Sequence, residues 1–125
     1  MPDAPIIWIN GAFGVGKTTI ARALASAASD AIVFDPEPVG LSLHATLPKP
    51  LRTSDFQDIP SWRQATRTIV EGLHRDYGRP VIVPMTVVNP AYFDNIVGAL
   101  RRVGLPVRHF TLVALGGAGP IHAIA

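Results

Sequence analysis

Gly11, Gly14 and Gly16 lie within six residues of one another and run directly into Lys17-Thr18. The segment Gly11-Ala12-Phe13-Gly14-Val15-Gly16-Lys17-Thr18 has the spacing G-x-x-x-x-G-K-[ST]. Before it stands Ile6-Ile7-Trp8-Ile9, an apolar and largely β-branched run too short for a helix. After it, Ile20, Ala23, Leu24 and Ala27 recur at i, i+3, i+4 and i+7, the stripe of a helix of about three turns. A buried strand, a glycine turn and an amphipathic helix in that order point to an α/β fold with a parallel sheet.

The turn has a chemical reading. A chain of phosphates needs many donors in a small space, and only a backbone without bulky side chains can curl its amides around one. Gly11, Gly14 and Gly16 supply that freedom, and Ala12, Phe13 and Val15 add amides to the same loop. The helix that begins near Gly16 directs roughly half a positive charge at the site. Lys17 is expected to reach the β- and γ-phosphate oxygens and Thr18 to place its hydroxyl on Mg²⁺, with Thr19 a further contact. A nucleotide polyphosphate with Mg²⁺ is the ligand this arrangement predicts.

The remainder repeats the pattern of short apolar run and amphipathic segment. A second strand is expected at Ala31 to Asp35, and a short helix at Val39 to Leu47, bounded by prolines on both sides. The span 48–59 reads as loop. A longer helix runs from Pro60 to Tyr77, with Trp62, Ala65, Ile69 and Leu73 as its buried stripe and Gly78 as its cap. Val81 to Val83 form a third strand. Asn89-Pro90 opens a helix with the stripe Phe93, Ile96, Val97, Leu100 and Val103, stopped by Gly104, and Val107 to Val113 form a fourth strand. The fold class is thus a three-layer α/β P-loop NTPase fold with a parallel sheet, for which the usual strand order, 2-3-1-4, is expected.

Composition narrows the options. Hydrophobic residues make up 48% and charged residues 16% of the 125-residue chain, which suits one folded core and excludes a disordered polyelectrolyte. The net charge of +2 and nine arginines scattered from Arg22 to Arg108 form no cationic stripe, so nucleic acid is not the expected partner. With no cysteine there is no disulfide, thiolate metal site or cysteine nucleophile. His44, His74, His109 and His122 are too dispersed for a metal site. Met1 to Ile9 lacks the basic segment of an export signal, and the weakly charged stretch from Phe110 onward is broken by three glycines and a proline. A cytoplasmic protein without a transmembrane segment is expected.

Phosphate binding alone does not separate kinase, motor and GTPase. No D-x-x-G or N-K-x-D is present, so a regulatory GTPase lacks its sensing and guanine-selecting elements. The third strand runs on into Pro84-Met85-Thr86 without the acid that motor ATPases use to hold Mg²⁺. The nearest acids are Asp35 and Glu37, at the carboxyl end of the second strand, where ligands of open parallel sheets sit. Asp35 is the candidate base for an acceptor hydroxyl, or a water-mediated Mg²⁺ ligand; its alternative role is to cap the helix that follows. Arg63 and Arg67 share a helix face and could contact an anionic acceptor, with solvated surface the more ordinary reading.

The segments IIWINGAFGVGKT, FDPEPVG, DFQDIPSWR, VIVPMTVVNPAYF and HFTLVA together resemble the tunicamycin resistance protein family of P-loop kinase-like proteins, across most of residues 6 to 114. Beyond the glycine loop the resemblance rests on Asp35-Pro36-Glu37, on Asp55-Phe56-Gln57 with Trp62-Arg63, and on Pro84-Met85-Thr86. It implies a kinase-like fold, ATP binding and a role in resistance to a nucleoside antibiotic, and it strengthens Asp35 and Arg63 as site residues; Lys17 and Asp35 are the expected catalytic residues, and Glu37 and Arg63 the expected substrate-binding ones.

Members of that family continue past the fourth strand into an arginine-bearing lid helix, further helices and a fifth strand. This chain instead reads Leu115-Gly116-Gly117-Ala118-Gly119-Pro120-Ile121-His122-Ala123-Ile124-Ala125. Residues 1–114 are accordingly expected to form a C-terminally incomplete kinase-like domain, and 115–125 an atypical tail. The tail is too short for a parallel crossover, so Pro120 to Ala125 can pair only antiparallel or stay unpaired; a bare fourth strand would favour self-association. Three functional readings follow: a small-molecule phosphotransferase, a protein that binds antibiotic or nucleotide without turnover, and an inactive fragment of such a kinase.

Overall fold

β1 (Ile6–Gly11) buries Ile6, Trp8, Ile9 and Gly11, leaves Ile7 and Asn10 half-buried, and occupies the centre of a five-stranded sheet ordered β2-β3-β1-β4-β5. The computed structural model describes residues 4–11, 16–28, 30–114 and 121–124. β1 pairs in parallel with β3 (Val81–Pro84) on one side, Ile6 opposite Val81, and with β4 (Val107–Ala114) on the other, Ile6 opposite Val107. β2 (Ile32–Val33) extends the parallel sheet beyond β3. The four parallel strands thus take the expected order 2-3-1-4.

β5 (Ile121–Ile124) pairs antiparallel with Thr111 to Ala114 of β4, the only geometry so short a return allows. β2 is shorter than expected: Phe34 still donates to Ile82 O at 2.9 Å, and Pro36 then turns the chain away.

α1 (Lys17–Ala27) covers one face of the sheet. Its expected stripe needs correction, because Ala21 is the buried residue, Ile20 is half-buried, and Ala23, Leu24 and Ala27 are exposed. Ile20 and Leu24 face not a filled core but an apolar cavity of about 230 Å³, completed by Ile7, Ile9, Phe110 and Leu112. Packing is concentrated on the opposite face, where α3 (Pro60–Tyr77) buries Trp62, Thr66, Val70 and His74. Its inward ridge therefore steps by four residues from Trp62, and the expected Ala65, Ile69 and Leu73 flank it half-buried. His74 is drawn inward because its Nε2 bonds the carbonyl of Ala4 at 2.7 Å.

α2 (Glu37–Thr46) begins two residues before the expected start, with Pro38 in its first turn. The expected loop at 48–59 contains two single 3₁₀ turns, Lys49–Leu51 and Phe56–Asp58. Asn89 caps α4 (Pro90–Phe93) as its sequence position predicts, its Oδ1 accepting from Ala91 N and Tyr92 N. The helix then widens into a π-helical turn, Asp94–Gly98, before α5 (Ala99–Arg102). Ile96, Val97 and Leu100 are buried as expected, whereas Val103 is exposed where Gly104, at φ +87°, ends the run. Among the described residues no helix is long and apolar enough to cross a membrane.

Candidate functional site

The glycine turn leaves the carboxyl end of the central strand. Gly11 is buried as the last residue of β1; Ala12, Phe13, Gly14 and Val15 lie outside the described residues; and the chain continues at Gly16. Gly16 has φ 82° and ψ 32°, with no atom within 4 Å of where a Cβ would stand. That left-handed conformation is the one glycine adopts without strain. Gly16 O accepts from Ile20 N at 3.0 Å, so the helix starts at once, with Lys17 and Thr18 as its first residues and Thr19 exposed in its first turn.

Among the described residues no side chain caps α1 and no acid occupies its first turn. The first-turn amides and the dipole therefore face an exposed end suited to an anion. The described residues contain no cluster of three His or acidic groups that could hold a metal by themselves.

The base of the turn is braced from β3. Past Pro84 the chain stays against β1, with Trp8 Nε1 donating to Met85 O at 2.9 Å and Met85 N to Ile9 O at 3.1 Å. Asn10 holds Val87 from both sides, accepting its N–H at 2.7 Å through Oδ1 and donating Nδ2 to its carbonyl at 3.5 Å. The Thr86 hydroxyl donates to the carbonyl of Gly11. Four consecutive residues of β1, Trp8 to Gly11, are thus gripped by a segment 75 to 77 positions away. Sequence reasoning assigns Asn10 and Thr86 no role, although Thr86 stands in the Pro84-Met85-Thr86 motif on which the family resemblance rests.

Asp35 and Glu37 stand at the same carboxyl edge, two strands from β1 and so about 10 Å away across the sheet. Both are exposed. Asp35 Oδ1 accepts the backbone N–H of Glu37 at 2.9 Å, closing a local turn just before α2, whose N-cap, Pro36, has no side-chain cap. The turn between them is fixed from below: buried Trp62 donates its indole N–H to Pro36 O at 3.0 Å and packs its ring 5.1 Å from that of Phe56.

Arg63 departs from the solvated-surface reading. It is half-buried, its Nη1 donating to Gln57 O at 2.6 Å and its Nε to Asn95 Oδ1 at 3.1 Å, with its guanidinium 4.1 Å from the centroid of the Tyr92 ring. Arg67, also half-buried, donates Nη1 to Asn95 O at 3.3 Å. Both contacts exist because the π-helical turn carries Asn95 up against α3. The Tyr92 hydroxyl donates to Asp58 Oδ1 at 2.5 Å. That bond to a carboxylate, followed by burial, raises the Tyr92 pKa against the opposing pull of Arg63. Gln57 then joins this cluster to the brace, its Nε2 donating to Thr86 O at 2.7 Å.

A parallel sheet ordered β2-β3-β1-β4, with a glycine turn linking the central strand to its helix, defines a P-loop kinase-like α/β protein. Residues 6–115 match the AAA domain family, and the chain belongs to it. Among solved structures, the Deinococcus radiodurans tunicamycin resistance protein is 37% identical with a TM-score of 0.77, the match covering 90% of this chain and 64% of that one. The APS kinase of Mycobacterium tuberculosis is 20% identical with a TM-score of 0.65 over 89% of this chain and 76% of that one. A sugar kinase from Janibacter sp. is 20% identical with a TM-score of 0.57 over 90% and 62%. The last two likenesses carry the fold alone. No curated protein matches by sequence. The chain spans less than two thirds of the tunicamycin resistance protein it resembles.

Proposed function

We propose that this chain binds Mg·ATP at its glycine turn and transfers the γ-phosphoryl group to a small hydroxyl-bearing acceptor of the nucleoside-antibiotic kind, tunicamycin being the first to try. The observation that carries this reading is Gly16 in a left-handed turn between the buried end of β1 and an uncapped eleven-residue helix. The likeness to a tunicamycin resistance protein supports the choice of acceptor. Gly11 to Gly16 would wrap the phosphates, with Lys17 on the β- and γ-oxygens, Thr18 on Mg²⁺ and Thr19 beside them. Bound Mg²⁺ would offset the charge that develops on the phosphate oxygens.

On the acceptor side, Asp35 keeps one carboxylate oxygen beyond its bond to Glu37 N, and that oxygen takes the acceptor's proton. The acceptor oxygen bonds to the γ-phosphorus while the bond to the leaving ADP breaks. Glu37 and Arg63 would orient the acceptor. A reaction of this kind belongs in the cytoplasm, where ATP is supplied. Any self-association would use Val107 to Phe110, the part of the outer β4 edge outside its pairing with β5.

One observation favours a second reading. The bond from Glu37 N to Asp35 Oδ1 suits a purely structural turn, and with it a protein that binds antibiotic or nucleotide without turnover. Incubation with γ-labelled ATP, Mg²⁺ and tunicamycin separates the two. Label on the antibiotic supports transfer; stoichiometric binding without product supports sequestration; absence of nucleotide binding leaves the inactive fragment.

A further inference from the structure

We propose that Gln57 is a positioning residue which couples the acceptor side of the site to the phosphate turn, through Thr86 and the carbonyl of Gly11. This inference rests on the proposed binding of Mg·ATP at that turn.

Gln57 makes polar contacts with both halves of the site, through its backbone on one and its side chain on the other. Its backbone is held on the acceptor side, where Asp55 Oδ1 accepts its N–H at 2.8 Å and Arg63 Nη1 donates to its carbonyl at 2.6 Å. Its side chain crosses to the other half, with Nε2 2.7 Å from Thr86 O and 3.5 Å from Met85 Sδ. Both neighbours are acceptors, which fixes the amide nitrogen, rather than the oxygen, toward β3. Thr86 then donates its hydroxyl to Gly11 O. Because a peptide unit is planar, holding that carbonyl sets the plane through which the chain leaves β1 for the glycine turn.

Arg63 gives the path its input. It is held by Gln57 O, Asn95 Oδ1 and the Tyr92 ring, all of which a bound anionic acceptor would compete with. Any change in the hold of Arg63 on Gln57 is handed to Thr86 by the amide at the other end of the same residue. A Gln57 that served only to pack the Phe56–Asp58 turn would not need a donor aimed at the β3 extension.

The test is Mg·ATP affinity, read by isothermal titration calorimetry of the full chain, with the urea midpoint followed in parallel. Gln57→Met keeps the length and removes the donor, and should weaken Mg·ATP about five- to tenfold, the scale of one net hydrogen bond. Thr86→Val should do the same, and Thr86→Ser, which keeps the hydroxyl, should retain wild-type affinity. Since the two residues act in series, Gln57→Met combined with Thr86→Val should lose little more than either alone. Wild-type affinity in Gln57→Met, or losses in the double variant that simply multiply, would overturn the coupling. A flat titration with the unsubstituted protein overturns the nucleotide reading itself, and the coupling with it.

Discussion

The indole nitrogen of Trp62 donates to the carbonyl oxygen of Pro36 at 3.0 Å, joining the first turn of α3 to the acidic turn at the end of β2. Both residues are buried, so the carbonyl has no water to replace that donor. Trp62→Phe should therefore cost about 1–3 kcal/mol of stability in urea unfolding. The orphaned carbonyl sits between Asp35 and Glu37, so phosphoryl transfer should fall further than Mg·ATP affinity does. A variant as stable as the parent would show that the bond merely accompanies the packing.

The architecture is legible in sequence because its punctuation is local. Gly78 and Gly104 take the left-handed conformations that end helices, Gly16 takes one at the start of α1, and Asn89-Pro90 starts a helix where such a pair should. Burial is harder to read, since it depends on partners far along the chain. The inward ridge of α3 contains Thr66 and His74, which hydropathy sends outward; the second is internal because Ala4, 70 residues earlier, offers its carbonyl. Arg63 resembles a solvated arginine until Asn95 and Tyr92 are brought beside it, 32 and 29 residues later. In the candidate site, the glycine turn proposed to hold phosphate is a contiguous motif in the sequence. The brace formed by Asn10, Gln57 and Thr86 is discontinuous and appears only once β1 and β3 are paired.

Lys17 opens α1 at the turn, and its proposed work is electrostatic. Lys17→Ala removes a charge-assisted contact of about 1.5–3 kcal/mol, which corresponds to a loss of roughly tenfold to 150-fold in Mg·ATP affinity. Alanine suits a helix at least as well as lysine, so the far-ultraviolet circular dichroism should not change. Calorimetry on the two proteins measures the difference, and equal affinities would remove Lys17 from the site.

Gly40 lies in α2 against Phe56, and a Cβ there would overlap Cδ1 and Cγ of that ring. Relief by a small rotation is blocked, because the Phe56 ring also packs on Trp62. Gly40→Ala should destabilise the protein by about 1–3 kcal/mol despite the gain in helix propensity. Adding Phe56→Leu should recover part of that loss, which a double-mutant cycle in urea would record as coupling. Additive losses would place the strain elsewhere.

His109 carries a pH dependence whose sign follows from its surroundings on β4. Its ring lies 4.6 Å from that of Phe93, and Thr111 Oγ1 is 3.3 Å from its Nε2. Burial, and then the Arg101 cation, lower its pKa below the ordinary histidine value of 6.5. The folded state therefore binds this proton less readily than the unfolded chain does. Its contribution is fully present above about pH 6.5 and is lost as the pH falls through the lowered folded value. His109→Phe keeps an aromatic partner for Phe93 and removes the titration. Urea midpoints measured from pH 8 to pH 5 should converge as the solution is acidified, the parent losing stability faster than the variant. Parallel curves would mean that His109 titrates alike in both states, and that its packing against Phe93 leaves the proton unaffected.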